Sequence, residues 1–192
     1  MSTTLGMMFP GQGSQAMGML AALGAAHDVV RETFREASDA LGEDLWALAQ
    51  DGPAEELDRT ENTQPVLLTA SVAVFRAWCQ AGGGTPRVAA GHSLGEYSAL
   101  VAAGVFALPD AVRLVRARAR AMQEAVPAGQ GAMAAILGLD EVEVERCCAA
   151  VAGDGVVYAA NYNAPGQVVI AGDAAAVERA VAACREAGAR RA

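Results

Sequence analysis

Two glycine-framed stretches hold residues whose types and spacing could do chemistry. Gly91-His92-Ser93-Leu94-Gly95 fits G-x-S-x-G. In a nucleophile elbow the serine stands in a strained turn between strand and helix. Residues two positions away must then be small, and the helix N-terminus aims free N–H groups at a developing oxyanion, with the Leu94 N–H as one donor. The same residues also read as a capping box, Ser93-Leu-Gly-Glu96, which needs no chemistry. A cap requires neither glycine on both sides nor a strand running directly into it, so the spacing favours a nucleophile while leaving the cap open. His92 precedes Ser93, so its side chain should leave the opposite side of the turn and pack rather than react.

The other stretch, Gly11-Gln12-Gly13-Ser14-Gln15-Ala16, fits the dinucleotide pattern G-x-G-x-x-G/A after a strand. That motif needs a second strand and an acidic residue about 20 positions on. Here His27 to Ala40 continues a helical period instead, so a nucleotide site is not expected. The turn either simply leaves a strand or points the Gln12 amide into a site at the carboxyl edge of the sheet. Arg118 is an independent signal. On a wheel over Asp110 to Glu124, Arg113, Arg116 and Arg120 share one face, while Arg118 falls among Ala111, Leu114, Ala121, Met122 and Ala125. A guanidinium on an apolar face is costly unless paired. It is held by a buried carboxylate, snorkels out along its stem, or forks onto a substrate carboxylate.

The surrounding elements must position these groups. Thr4 to Phe9 and Arg87 to Ala90 read as short buried strands. Helical periods cover Met17 to Ala40, Asp44 to Ala49, Val66 to Gln80, Leu94 to Ala103 and Pro109 to Glu124, with a short helix inside the polar stretch from Asp51 to Pro65. Helices between short apolar strands predict an α/β fold with a parallel sheet. The texture changes near Val126, where Pro127 to Gly131 is a linker-like turn. Strand, helix, two strands around a turn at Asn163 to Gly166, and a last helix over Ala174 to Ala187 then follow. This βαββα order is a ferredoxin-like unit one strand short. The expected boundaries are residues 1–126 and 127–192.

At 192 residues and 53% hydrophobic, the chain can bury a sizeable core. A net charge of −8 with no basic block argues against nucleic acid. Met1 to Pro10 lacks a signal-peptide pattern, and the apolar run from Ser98 to Pro109 is too short to span a membrane. Cys79, Cys147, Cys148 and Cys184 have no CxxC spacing, and only His27 and His92 accompany them. A reduced cytoplasmic protein without zinc or disulfides is therefore expected.

Five stretches taken together resemble one family. They are FPGQGSQ from Phe9, TQPVLLTASVAVF from Thr63, GHSLGEYSALVAAG from Gly91, RARAMQEAVPAGQGAMAAILGL from Arg118 and NYNAPGQVVIAG from Asn161. In order and spacing they resemble the malonyl-CoA:acyl carrier protein transacylases and, more broadly, the acyltransferase domains of polyketide and fatty acid synthases. The resemblance implies that Ser93 takes a malonyl group from malonyl-CoA as an ester and passes it to the phosphopantetheine thiol of acyl carrier protein. It implies Gln12 beside the acyl group, the Leu94 N–H as oxyanion donor and Arg118 on the malonate carboxylate. Asn161 and Asn163 would line the site, with Gln64 supporting it from a TQP turn. The family's glycine after the arginine is Ala119 here.

No metal and no permanently bound cofactor are implied, and a monomer is implied at full length. The family's catalytic histidine follows the small subdomain, and neither His27 nor His92 matches it. The resemblance thus implies an N-terminal portion. Residues 1–126 would be an incomplete hydrolase-like large subdomain, and residues 127–192 an inserted ferredoxin-like subdomain lacking its last strand. A polyketide acyltransferase taking another carboxyacyl-CoA, a serine hydrolase and a non-catalytic truncated product are the alternatives. Arg113, Arg116 and Arg120 form the expected basic patch for an acidic carrier protein, and an incomplete sheet should leave apolar surface open.

Overall fold

The computed structural model describes residues 4–127, 129–151, 153 and 155–192. Ala128, in the expected linker turn, lies outside the described residues, as does the start of the N-terminal stretch, Met1 to Thr3. The fold is α/β, and the chain divides into two compact units, Met1–Glu124 and Ala125–Ala192.

In the first unit, strands β1 (Gly6–Phe9) and β2 (Val88–Gly91) pair in parallel, with Gly6 opposite Val88 and Phe9 opposite Gly91. The expected helix from Met17 to Ala40 is two helices, α1 (Ala21–Ala26) and α2 (Asp28–Leu41), because His27 is extended between them. Short helices α3 (Leu45–Asp51) and α4 (Ala54–Leu57) follow. Helix α5 runs from Thr60 to Gln80, starting six residues before the expected Val66 and carrying Pro65 inside it. Its first turn is secured locally. The N–H groups of Asn62 and Thr63 both donate to the Arg59 carbonyl, and the Thr63 hydroxyl donates to the Leu57 carbonyl. Gln64 therefore sits on a helix and not in a turn. Helices α6 (Leu94–Ala102) and α7 (Leu108–Glu124) complete the unit.

Val30, Phe34 and Ala37 of α2, Val66, Leu68, Val72 and Ala73 of α5, and Ala111, Val112 and Val115 of α7 form the core. Its packing corrects the helical wheel. The buried arc of α7 is Leu108, Ala111, Val112, Val115, Arg116 and Ala119, whereas Leu114 and Met122 are exposed. Arg116 is therefore the interior arginine, held by Glu43 and by Asn62 Oδ1 at 3.1 Å. The expected basic patch does not exist as such. Arg116 is buried, Arg113 pairs with Asp110 at 3.4 Å and Arg120 approaches Glu61 at 4.0 Å.

Met8 is 87% and Val88 61% exposed, and an apolar hollow lined by Met7, Phe9, Leu67, Val74, Phe75 and Trp78 lies beside β1. This is the open apolar surface expected of a short sheet. No helix among the described residues is long and apolar enough to cross a membrane, and no group of potential metal ligands clusters among them.

The second unit contains β3 (Gly131–Leu137), α8 (Glu141–Val151), β4 (Val157–Ala164), β5 (Gln167–Asp173) and α9 (Ala174–Glu186). The strand order is β3-β5-β4, with both pairings antiparallel. On the other edge of β3, the Leu137 N–H donates to the Arg191 carbonyl and the Arg190 N–H to the Leu137 carbonyl, each at 2.8 Å. Ile136, Val144, Val168, Ile170, Val177 and Ala180 form the core together with Cys147, Cys148 and Cys184.

Burial, followed by the neighbouring Cys147 thiol, pushes the Cys184 thiol from an ordinary 9.0 up to about 12. Burial also raises Cys148, and a hydrogen bond to Glu145 raises Tyr162. Each of these groups holds its proton more tightly in the folded chain than in the unfolded one. Their stabilisation is therefore complete below pH 9 and is lost as pH rises from there toward 12. Denaturation midpoints should fall between pH 9 and pH 11, and Cys184→Val should flatten that fall. An equally steep fall in the variant would assign the effect to other groups.

Candidate active site

β2 ends at Gly91 and α6 starts at Leu94, so His92 and Ser93 alone join them. The Ser93 backbone has φ 52° and ψ −106°, a left-handed conformation rare for a side-chain-bearing residue. Holding it costs on the order of 1–3 kcal/mol, which the surrounding packing must supply. The two flanking glycines make the turn possible by close approach. A methyl on Gly91 would overlap the Gly95 carbonyl, and one on Gly95 would lie 2.8 Å from the Pro10 carbonyl oxygen and closer still to that of Phe9. The Ser93 side chain makes no hydrogen bond to the helix N-terminus, which removes the capping-box reading. At the first helical position the Leu94 N–H has no intrahelical acceptor. The next two N–H groups turn back to the carbonyls of His92 and Ser93, at 2.9 and 3.2 Å.

The pairing of Phe9 with Gly91 sets the two glycine turns side by side, and the His92 N–H donates to the Phe9 carbonyl at 3.3 Å. The His92 Nδ1 lies 2.9 Å from where a methyl on Gly11 would stand. The first turn does not open a helix, since α1 begins only at Ala21, so the dinucleotide pattern lacks its anion-binding helix end here too. The turn is instead tied down by side chains. The Ser14 hydroxyl donates to the Gly11 carbonyl, Gln15 Nε2 donates to Asp58, and Gln12 Nε2 donates to Thr60 Oγ1 at 3.1 Å.

Arg118 reaches Ser93 from α7. Its Nη2 donates to Ser93 Oγ at 3.0 Å and its Nη1 to Gln64 Oε1 at 2.8 Å. The guanidinium carbon lies 5.6 Å from the Tyr97 ring centroid, within range of a cation–π attraction. Among the described residues Arg118 has no carboxylate within 4.0 Å, whereas Arg113, Arg116 and Arg120 of the same helix each have one. A buried salt bridge is thereby excluded as the reason for its position. Two of its five donors are engaged, by a neutral amide and a hydroxyl, and three are left for an incoming group.

Of the residues expected from the sequence, the first unit brings together Ser93, Leu94, Arg118 and Gln64, with Gln12 on the neighbouring turn. Asn161 and Asn163 belong to the second unit. They lie on β4, where the register slips on both sides of Asn161 and Tyr162. Tyr97 and Met122 were not anticipated, although each has a signal in its spacing. Tyr97 follows Ser93 by four residues and Met122 follows Arg118 by four, one helical turn in each case.

The acyl transferase domain family matches residues 7–192. The chain belongs to the acyl transferase domain family. Among relatives of this domain, the malonyl CoA-acyl carrier protein transacylase of Escherichia coli (strain K12) is 62% identical over 190 residues, which is 99% of this chain and 62% of that protein. The Bacillus subtilis protein of the same name is 50% identical, over 96% of this chain and 58% of its own. An acyl carrier protein S-malonyltransferase from Vibrio cholerae superimposes with a TM-score of 0.94 at 57% identity, covering 98% of this chain and 62% of that one. A malonyl-transacylase solved in complex with its type II PKS acyl-carrier protein superimposes with a TM-score of 0.96 at 58% identity, covering 98% and 61%. This acyl transferase domain thus spans about three fifths of the length of the curated relatives it matches.

Proposed function

We propose that this acyl transferase domain carries a malonyl group from malonyl-CoA to the phosphopantetheine thiol of an acyl carrier protein through an ester on Ser93. One observation carries this reading: a guanidinium with no carboxylate partner among the described residues lies 3.0 Å from the hydroxyl of a strained serine. A malonyl thioester has a carbonyl to be attacked and a free carboxylate two bonds away, across a single methylene. Ser93 Oγ attacks the carbonyl and loses its proton, the carbon–sulfur bond breaks, and the CoA thiol leaves with a proton. The carrier thiol then attacks the ester and Ser93 regains its proton. The Leu94 N–H faces the oxyanion of both steps, and Gln12 borders the acyl group. Arg118 recognises the carboxylate and not the carbon between the two carbonyl groups, so it does not by itself separate malonyl from methylmalonyl.

The base for Ser93 is neither histidine of this chain. His27 joins α1 to α2, and the His92 imidazole lies against Gly11. We assign residues 1–126 to a hydrolase-like large subdomain and 127–192 to a ferredoxin-like small subdomain, a reading supported by the antiparallel order β3-β5-β4. Asn161 and Asn163 lie on its strand β4. The carrier protein as acceptor rests on the names of the relatives and on the complex described above.

Intact-protein mass after exposure to malonyl-CoA or acetyl-CoA tests the proposal. The malonyl adduct should form faster than the acetyl adduct, and Arg118→Ala should slow malonyl capture by about a hundredfold while leaving acetyl capture little changed. Equal labelling by both thioesters in the unaltered chain would defeat it.

A further inference from the structure

Gln64 is fully buried, on a stretch of α5 that is otherwise apolar core from Pro65 to Leu68. A primary amide in that position is costly unless its polar atoms are used. Its Oε1 accepts from Arg118 Nη1 at 2.8 Å, and its Nε2 donates to Met122 Sδ at 3.4 Å. Arg118 and Met122 are four residues apart on α7, so one amide spans a full turn of that helix. Arginine has only donors, so the carbonyl end of the amide must face it and the weak sulfur acceptor takes the other end.

The interior of this unit holds its other α7 arginine differently. Arg116, two residues earlier, is neutralised by the carboxylate of Glu43. We propose that Gln64 is a positioning residue that fixes Arg118 while preserving its full positive charge, and that this neutral anchor sets the preference for carboxyacyl over simple acyl thioesters. The inference rests on the reading that Arg118 meets the substrate carboxylate. A glutamate at this position would have nearly the same shape and reach, but it would pair with the guanidinium and compete with the substrate. A residue without an oxygen would leave the guanidinium oriented only by Tyr97 and Ser93.

Equilibrium binding of malonyl-CoA and acetyl-CoA, measured calorimetrically on the whole chain with Ser93→Ala to prevent turnover, tests this. Malonyl-CoA should bind at least about tenfold more tightly than acetyl-CoA, as expected for a charge-assisted pair. Adding Gln64→Glu should erase that preference and leave acetyl-CoA affinity within about twofold, since only the carboxylate contact is affected. Gln64→Met keeps the volume and the neutrality but loses the acceptor, and should weaken malonyl-CoA selectively as well. It also serves as the deciding variant if Gln64→Glu does not fold. Retention of the preference in the folded variants, or an equal loss for both thioesters, would overturn the role of Gln64 alone. Absence of any preference before Gln64 is altered would overturn the reading of Arg118 and this inference with it.

Discussion

Ser93→Ala is expected to abolish covalent malonyl capture, with a loss on the order of a thousandfold or more, while leaving the fold as stable as before. The two halves of this result separate the readings that the sequence left open. Were Ser93 a helix cap, its loss would cost about 1 kcal/mol of stability and change no chemistry. Its hydroxyl makes no bond to the helix N-terminus and accepts instead from Arg118, so the denaturation midpoint should move by less than about 0.5 kcal/mol equivalent. Alanine tolerates the left-handed backbone at 52° no better than serine, so the strain is unchanged. A Ser93→Ala protein that still acquires the malonyl mass would place the nucleophile elsewhere. One that unfolds early would return Ser93 to the role of a cap.

Gly95→Ala should be among the most damaging single-methyl changes in the first unit. The added carbon would sit 2.8 Å from the Pro10 carbonyl oxygen and closer still to that of Phe9. Both obstacles are backbone, which cannot rotate away as a side chain can. The clash forces β1, β2 and α6 apart at the point where Ser93 is held, with a destabilisation of about 3 kcal/mol expected. Gly84→Ala is the matched control, since its nearest neighbour is Leu5 Cδ2 at 3.9 Å, and it should stay within about 0.5 kcal/mol. Urea midpoints of the two proteins, compared with the unaltered chain, provide the measurement. A Gly95→Ala midpoint close to that of Gly84→Ala would mean that the turn is looser than described.

The helices and strands were largely legible because each follows from local pattern. Val168 and Ile170 alternate as a strand requires, and Leu94 to Ala102 runs between a glycine turn and Gly104. Two boundaries were misread for reasons also local in kind but invisible in the pattern. Pro65 suggests a helix start, yet the Arg59 and Leu57 carbonyls secure a turn before it. His27 breaks a continuous helical period with a single extended residue. The arginines of α7 could not be sorted from the sequence. A wheel gives their relative angles, but which arc faces inward depends on what α2 and α5 place against it. Glu43 and Asn62 drew Arg116 into the interior, and Arg118 was left at the edge of the buried arc.

The sequence by itself determined the α/β class and the paired glycines that permit a strained serine turn, because steric limits on a turn act within a few residues. Only the tertiary structure decided that Arg118 meets Ser93 and Gln64, 25 and 54 residues away along the chain, and that no carboxylate among the described residues joins them. Such contacts depend on the packing of whole helices, and spacing along the chain carries no record of which charged groups that packing brings within reach.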